Sequence, residues 1–134
     1  MNPFTTCCTA LVVVCASQGA SAHNAEALLS PQYTACMGQR AGTTQAMIDC
    51  TTAEHQRQDK RLNQAYQAAM ALQSPERKKQ LQAAQRAWLR FRDANCHFYA
   101  DLDGGSLARV SGNDCLVTHT AQRAKELEGF ATGQ

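Results

Sequence analysis

Beyond residue 22 the apolar positions recur at helical rather than strand spacing. Met47, Cys50, Leu62, Ala65, Tyr66, Ala69, Met70 and Leu72 repeat close to the 3.6-residue period, and nothing between Thr44 and Gln73 is Gly or Pro. That predicts one long helix over Thr44 to Gln73, capped by Thr43. Within it, Glu54-His55-Gln56-Arg57-Gln58-Asp59-Lys60-Arg61 is wholly polar, which predicts a weakly buried face or a bend. Ser30-Pro31 is a cap followed by proline at the first helical position, and it starts a shorter helix ending near Gln39, before Gly42. Ser74-Pro75 repeats the signal and opens a third helix to about Tyr99. Leu81, Ala84, Trp88, Phe91 and Phe98 mark its expected buried stripe, with Trp88 as core anchor, while Arg77-Lys78-Lys79, Arg86 and Arg90 face water.

With Ser74 alone between them, the second and third helices must form an antiparallel hairpin or a sharp corner. Asp101-Leu102-Asp103-Gly104-Gly105-Ser106 is the clear loop of the second half. A last helix begins at Ser106 or after Ser111-Gly112 and carries Cys115, Leu116, Ala124, Leu127 and Phe130. The expected fold class is all-α: a small disulfide-stapled helical bundle with an antiparallel hairpin of two long helices.

The first 22 residues change the chemical setting. An apolar run through Leu11-Val12-Val13-Val14-Cys15-Ala16 ends in Ala20-Ser21-Ala22, the small-x-small pattern of a signal-peptidase site. Residues 1–22 therefore read as a signal peptide and 23–134 as one helical domain beginning at His23. Val14 before Cys15 does not fit a lipid-attachment box. Export to a periplasmic or secreted location implies an oxidising environment for the remaining Cys36, Cys50, Cys96 and Cys115. Their gaps of 14, 46 and 19 contain no Cys-x-x-Cys, so disulfides are favoured over a zinc site or redox pair. Of three connectivities, the two local loops Cys36–Cys50 and Cys96–Cys115 are expected, each worth about 3 kcal/mol in the chain-entropy model.

Charge and motifs exclude more than they assign. The 13 Lys+Arg and 11 Asp+Glu leave a net charge of +2, too balanced for a dedicated nucleic-acid or anionic-membrane binder. No membrane span and no hydrolase, metalloprotease, nucleotide-loop or dinucleotide motif occurs. His55, His97 and His119 are isolated, and a copper chelate at His23 is set aside because its Asn24-Ala25-Glu26 surroundings are an unstructured-looking terminus. Asp59 with Asp93, or Asp101 with Asp103, resembles a glycosidase carboxylate pair only in composition; a Gly-rich loop holds no rigid pair. No enzyme activity, metal or cofactor is expected. Asp59, Asn63, Gln85 and Arg92, with Asp93 and Arg123, lie beside core positions and are expected to fix helix register through Asp59–Arg92 or Asn63–Gln85 hydrogen bonds.

Tyr33-x-x-Cys36, Met47-Ile48-Asp49-Cys50 and Asp59-x-x-Leu62-Asn63-x-x-Tyr66 resemble the start of the LprI-like lysozyme-inhibitor domain family. The resemblance continues through Gln85-Arg86-Ala87-Trp88-Leu89-Arg90-Phe91-Arg92-Asp93-x-x-Cys96, Gly104-Gly105-Ser106, Cys115-Leu116 and Thr120-x-x-Arg123-x-x-x-Leu127. It implies a small exported helical binding protein of a bacterial envelope, with lysozyme or another envelope protein as partner and oligomeric state open. The contact is expected in a disulfide-flanked loop from Asp101 to Asp114, at Asp101, Asp103 and Ser106. Asp93, Asp101, Asp103 and Asp114 stand there against Arg109 and can meet a basic lysozyme. An alternative is a structural or immunity-type module using Arg77-Lys78-Lys79 and the polar patch from Glu54 to Arg61.

Overall fold

The computed structural model describes residues 28–40, 42–101 and 103–132; the signal-peptide reading and His23 lie outside them. Four helices occur, with no strand among the described residues: α1 (Pro31–Arg40), α2 (Thr44–Ala71), α3 (Pro75–Ala100) and α4 (Gly105–Thr132). The starts of the first three are set by hydroxyl caps. The Ser30 hydroxyl accepts from the Tyr33 amide at 3.2 Å. Thr43 accepts from Ala46 at 3.2 Å, and Ser74 from Arg77 at 3.4 Å, with Pro75 entering the first turn.

Cys36–Cys50 ties α1 to α2, and Cys96–Cys115 ties α3 to α4, with Cα separations of 5.8 and 5.4 Å. Both pairings are the expected local ones. Gln85 meets Arg123 while Cys96 meets Cys115, so α3 and α4 run in opposite directions as a hairpin of two long helices. Arg61 meets Glu128, while Gln45 and Ile48 share a cleft with Arg109 and Gly112, so α4 runs along α2 in the same sense. The last helix therefore packs against both others, most extensively against α2.

That central place explains the burial pattern. Val117, Thr120, Ala121, Ala124 and Leu127 of α4 are fully buried, and Leu62 and Ala65 of α2 complete a core against Ala124 and Leu127. Tyr66, Leu81 and Trp88 pack on that core while partly exposed. Gly112 lets α3 and α4 touch: a Cβ there would lie 2.7 Å from the Ala100 Cβ.

Three expectations need correction. Ala84, Phe91 and Phe98 do not form a buried stripe; Phe91 is 55% and Phe98 80% exposed, because α4 packs on α3 mainly through Gln85 and Cys96 and meets Phe91 only at its edge. The polar stretch from Glu54 neither interrupts the helix nor stays outside: α2 is continuous, and Glu54 and Gln58 are buried. Residues 105–114 are helix rather than loop, so the connection is a tight turn.

Candidate functional site

At the α1 end, a buried charge is held by donors. Glu54 accepts from the Ser30 amide at 2.8 Å, the Ser30 hydroxyl, Gln58 Nε2 at 2.7 Å and Arg57 Nε at 2.7 Å. Burial pushes the Glu54 carboxyl up, but the bonds from Gln58, Ser30 and Arg57 outweigh it and hold the group below the ordinary carboxylate value. Arg61 extends the network by gripping Glu128 through two bonds of 2.7 and 2.6 Å and donating to the Leu28 carbonyl at 3.3 Å. These atoms brace the chain before α1 and the α2–α4 contact. Glu54, the first residue of the polar stretch 54–61, is thus buried and committed within the fold, while Gln56, Arg57 and Lys60 remain exposed. The neighbouring His55 is half-buried, and its Nε2 has no hydrogen-bond partner. Burial and the nearby Arg92 lower its pKa, against smaller opposing effects of Asp59 and Asp93.

The expected cross-helix polar pairs are replaced by bonds to α4. Gln85 accepts from Arg123 at 2.9 Å, and Arg92 donates to Thr120 at 3.3 Å. Asn63 donates to the Asp59 carbonyl and carboxylate in its own helix. Trp88 is half-buried, with the Arg92 and Arg123 guanidinium carbons 5.1 and 5.9 Å from its ring centroid. Arg92 also holds Asp93 at 2.7 Å. The Trp-x-x-Phe-Arg-Asp-x-x-Cys string thus builds a brace between α3 and α4, with Phe91 and Asp93 as its exposed members.

The opposite end, where α3 turns into α4, is built differently. The Gly104 amide donates to the Asp101 carbonyl at 2.9 Å, and the Asp103 amide to the Asp101 carboxylate at 3.2 Å. Gly105 has φ +73°, which a side chain would strain. Asp101 and Asp103 are exposed, and both precede the α4 N-terminus, where negative charge is favoured. Ser106 is exposed in the first turn of α4. Sequence reasoning missed what surrounds them: Phe98 is 80%, Tyr99 52% and Leu107 67% exposed. In the sequence, Phe98-Tyr99 stands just before the Asp101-to-Ser106 turn, with nothing to mark the two rings as exposed. Behind the turn, the Cys96–Cys115 disulfide fixes both helices.

A cleft of about 560 Å³ lies beside this tip, floored by Ile48, Ala100, Gly112 and Leu116 and rimmed by His97 and Arg109. On another side, His119 packs edge-on against Phe91 at 5.7 Å and lies 3.3 Å from Asn95 Nδ2. Cys96, Cys115 and His119 bring their ligand atoms within 4.8 Å of one another, but both sulfurs are committed to the disulfide and offer no thiolate to a metal. No described helix is long and apolar enough to cross a membrane. The turn between α3 and α4 is thus flanked by the exposed side chains of Phe98, Tyr99 and Leu107.

The family model described as "Lysozyme inhibitor LprI" matches residues 36–127, from the first cysteine of the α1–α2 disulfide to the buried Leu127 of α4. No curated protein and no solved structure matches.

Proposed function

Because the chain belongs to the lysozyme inhibitor LprI family, we propose that it is an exported, non-enzymatic binding protein that inhibits lysozyme or a related cell-wall hydrolase. The observation that carries this reading is the α3–α4 tip. Phe98, Tyr99 and Leu107 expose apolar surface around a turn that presents Asp101 and Asp103. Inhibiting a glycan hydrolase requires a projection that occupies a cleft containing an acid and a carboxylate. A preorganised turn loses little freedom on entering such a cleft, and aromatic anchors supply most of the affinity of protein interfaces. The two carboxylates add charge complementarity to a basic enzyme at the rim. Ser106, on the first turn of α4, belongs to the same proposed contact.

The two disulfides and the family favour export, with residues 1–22 as the proposed signal and the periplasm or exterior as the location. The test is direct. Purified, oxidised protein should slow lysozyme digestion of cell walls at micromolar concentration, and a variant with both tip aromatics removed should not. Undiminished digestion in the presence of wild type rejects the proposal.

A further inference from the structure

Among the described residues no helix covers the outer face of α3, whose one aromatic contact to another helix is the edge of Phe91 on His119. Ala84, Ala87, Phe91, Ala94 and Phe98 are all exposed, and their spacing alternates three and four residues, the a/d repeat of a coiled-coil seam. The seam runs about 21 Å along the helix at 1.5 Å per residue. α3 packs on α4 through its other side, where Gln85 and Cys96 are buried. Carried outward, the same repeat reaches Asp101 at the end and, beyond Gln80, Arg77 at the start. Both are exposed, and neither has an ion-pair partner among the described residues.

We infer that this face pairs with a second copy of the chain, α3 against α3 in antiparallel orientation. Antiparallel seams set an a residue of one helix opposite a d residue of the other. Matching these positions about a two-fold near residue 89 sets Phe91 opposite the second copy's Ala87. The same register sets Ala84 opposite its Ala94, Gln80 opposite its Phe98, and Arg77 opposite its Asp101. Large faces small at the centre, which lets the helices approach, and opposite charges meet at both ends. A parallel pairing stacks Phe91 on Phe91 and Phe98 on Phe98 and brings Arg77 to Arg77, so size and charge both select the antiparallel form. Arg90, on the flank, meets its own copy near the centre, where its long side chain can turn outward to water.

This inference is independent of the inhibitor reading, because self-association needs no hydrolase. The two touch at Phe98 and Asp101, which the pairing covers; a paired chain presents less of the tip.

Sedimentation equilibrium of the oxidised chain, from micromolar to millimolar, tests it. A reversible monomer–dimer equilibrium is expected. Phe91→Asp should weaken dimerisation by about a hundredfold, and Arg77→Asp or Asp101→Arg by about tenfold each. Combining the two charge reversals should restore dimerisation to near wild type, which fixes the register. Melting temperatures verify folding, and Ala87→Lys serves as the second central variant if Phe91→Asp is unfolded. A chain that stays monomeric throughout overturns the inference, as does a dimer that survives both central substitutions. Charge reversals that fail to compensate overturn the antiparallel register. Binding of the monomer to phosphatidylglycerol vesicles through Phe91, without self-association, overturns it in favour of a lipid surface.

Discussion

The two ends of this molecule reverse the usual distribution of polar and apolar side chains. Near α1 the interior holds a carboxylate: Glu54 is fully buried, with Gln58 beside it, and every close partner is a hydrogen-bond donor. At the α3–α4 turn the exterior holds Phe98, Tyr99 and Leu107. The first arrangement spends polarity on holding the fold together. The second leaves apolar surface free, as binding surfaces do. Hydrophobicity alone therefore misplaces both regions, and the geometry of α4 explains why.

Much of the fold is legible in the chain. Ser30, Thr43 and Ser74 cap helices where hydroxyl residues precede Pro or a helical run, and each helix start follows from that local chemistry. The local disulfide pairing agrees with the spacing of the four cysteines. Periodicity also groups residues correctly by face. It does not say which face meets a neighbour, since that depends on where the last helix lies. Placing α4 against both α2 and α3 turns Phe91 and Phe98 outward and leaves Gln85 and Arg123 to meet inside. Glu54 was unreadable for a related reason: Ser30, which donates both its amide and its hydroxyl, is 24 residues away and becomes a neighbour only after α1 folds back. At the tip, Asp101, Asp103 and the Gly pair were readable as a turn, while the aromatic rim was not.

The largest expected effect concerns both ends equally. Each disulfide closes a short loop, of separation 14 or 19, and removing either should cost about 3 kcal/mol. Denaturant unfolding of Cys36→Ala/Cys50→Ala and Cys96→Ala/Cys115→Ala variants measures this. Only the second pair backs the tip, so only its loss should weaken inhibition by a protein that is still folded.

Replacing Glu54 by Ala should destabilise by roughly 3 kcal/mol, because the Ser30 and Gln58 donors lose a buried acceptor. Glu54→Gln, which keeps the shape, should lose less. A variant as stable as wild type shows that the buried network contributes nothing, and the contrast between the ends collapses. Trp88→Ala should cost about 2 kcal/mol, below the usual range for a fully enclosed aromatic, since the ring is half-exposed and held partly by Arg92 and Arg123.

Acid should act first on the α1 end. Both Glu54 and His55 have folded pKa values lowered from their ordinary ones. Their stabilisation is complete above the unfolded values, about 4.3 for Glu and 6.5 for His, and is lost as pH falls through each lowered folded value. Unfolding free energy measured from pH 7 downward should therefore fall below pH 6.5 and again below about 4.3, with the second loss absent in Glu54→Gln. An unchanged acid profile in that variant rules out Glu54 as the group responsible.

The smallest effect on stability should come from the tip, and it discriminates best between the two ends. Phe98 and Tyr99 are mostly exposed, so Phe98→Ser/Tyr99→Ser should leave the melting temperature nearly unchanged. The same should hold for Asp101→Ala/Asp103→Ala, apart from the one side-chain bond within the turn. In inhibition assays the aromatic pair should lose more than tenfold in affinity, or over 1.4 kcal/mol, and the carboxylate pair about tenfold. That ranking follows because aromatic side chains bury large area on contact, whereas rim charges mainly set encounter rate. Raising the salt should therefore reduce the difference between wild type and the carboxylate variant while preserving the aromatic one. If instead the aromatic variant inhibits as well as wild type and only the carboxylates matter, the tip works by charge, and its exposed rings serve the α3 face rather than the hydrolase.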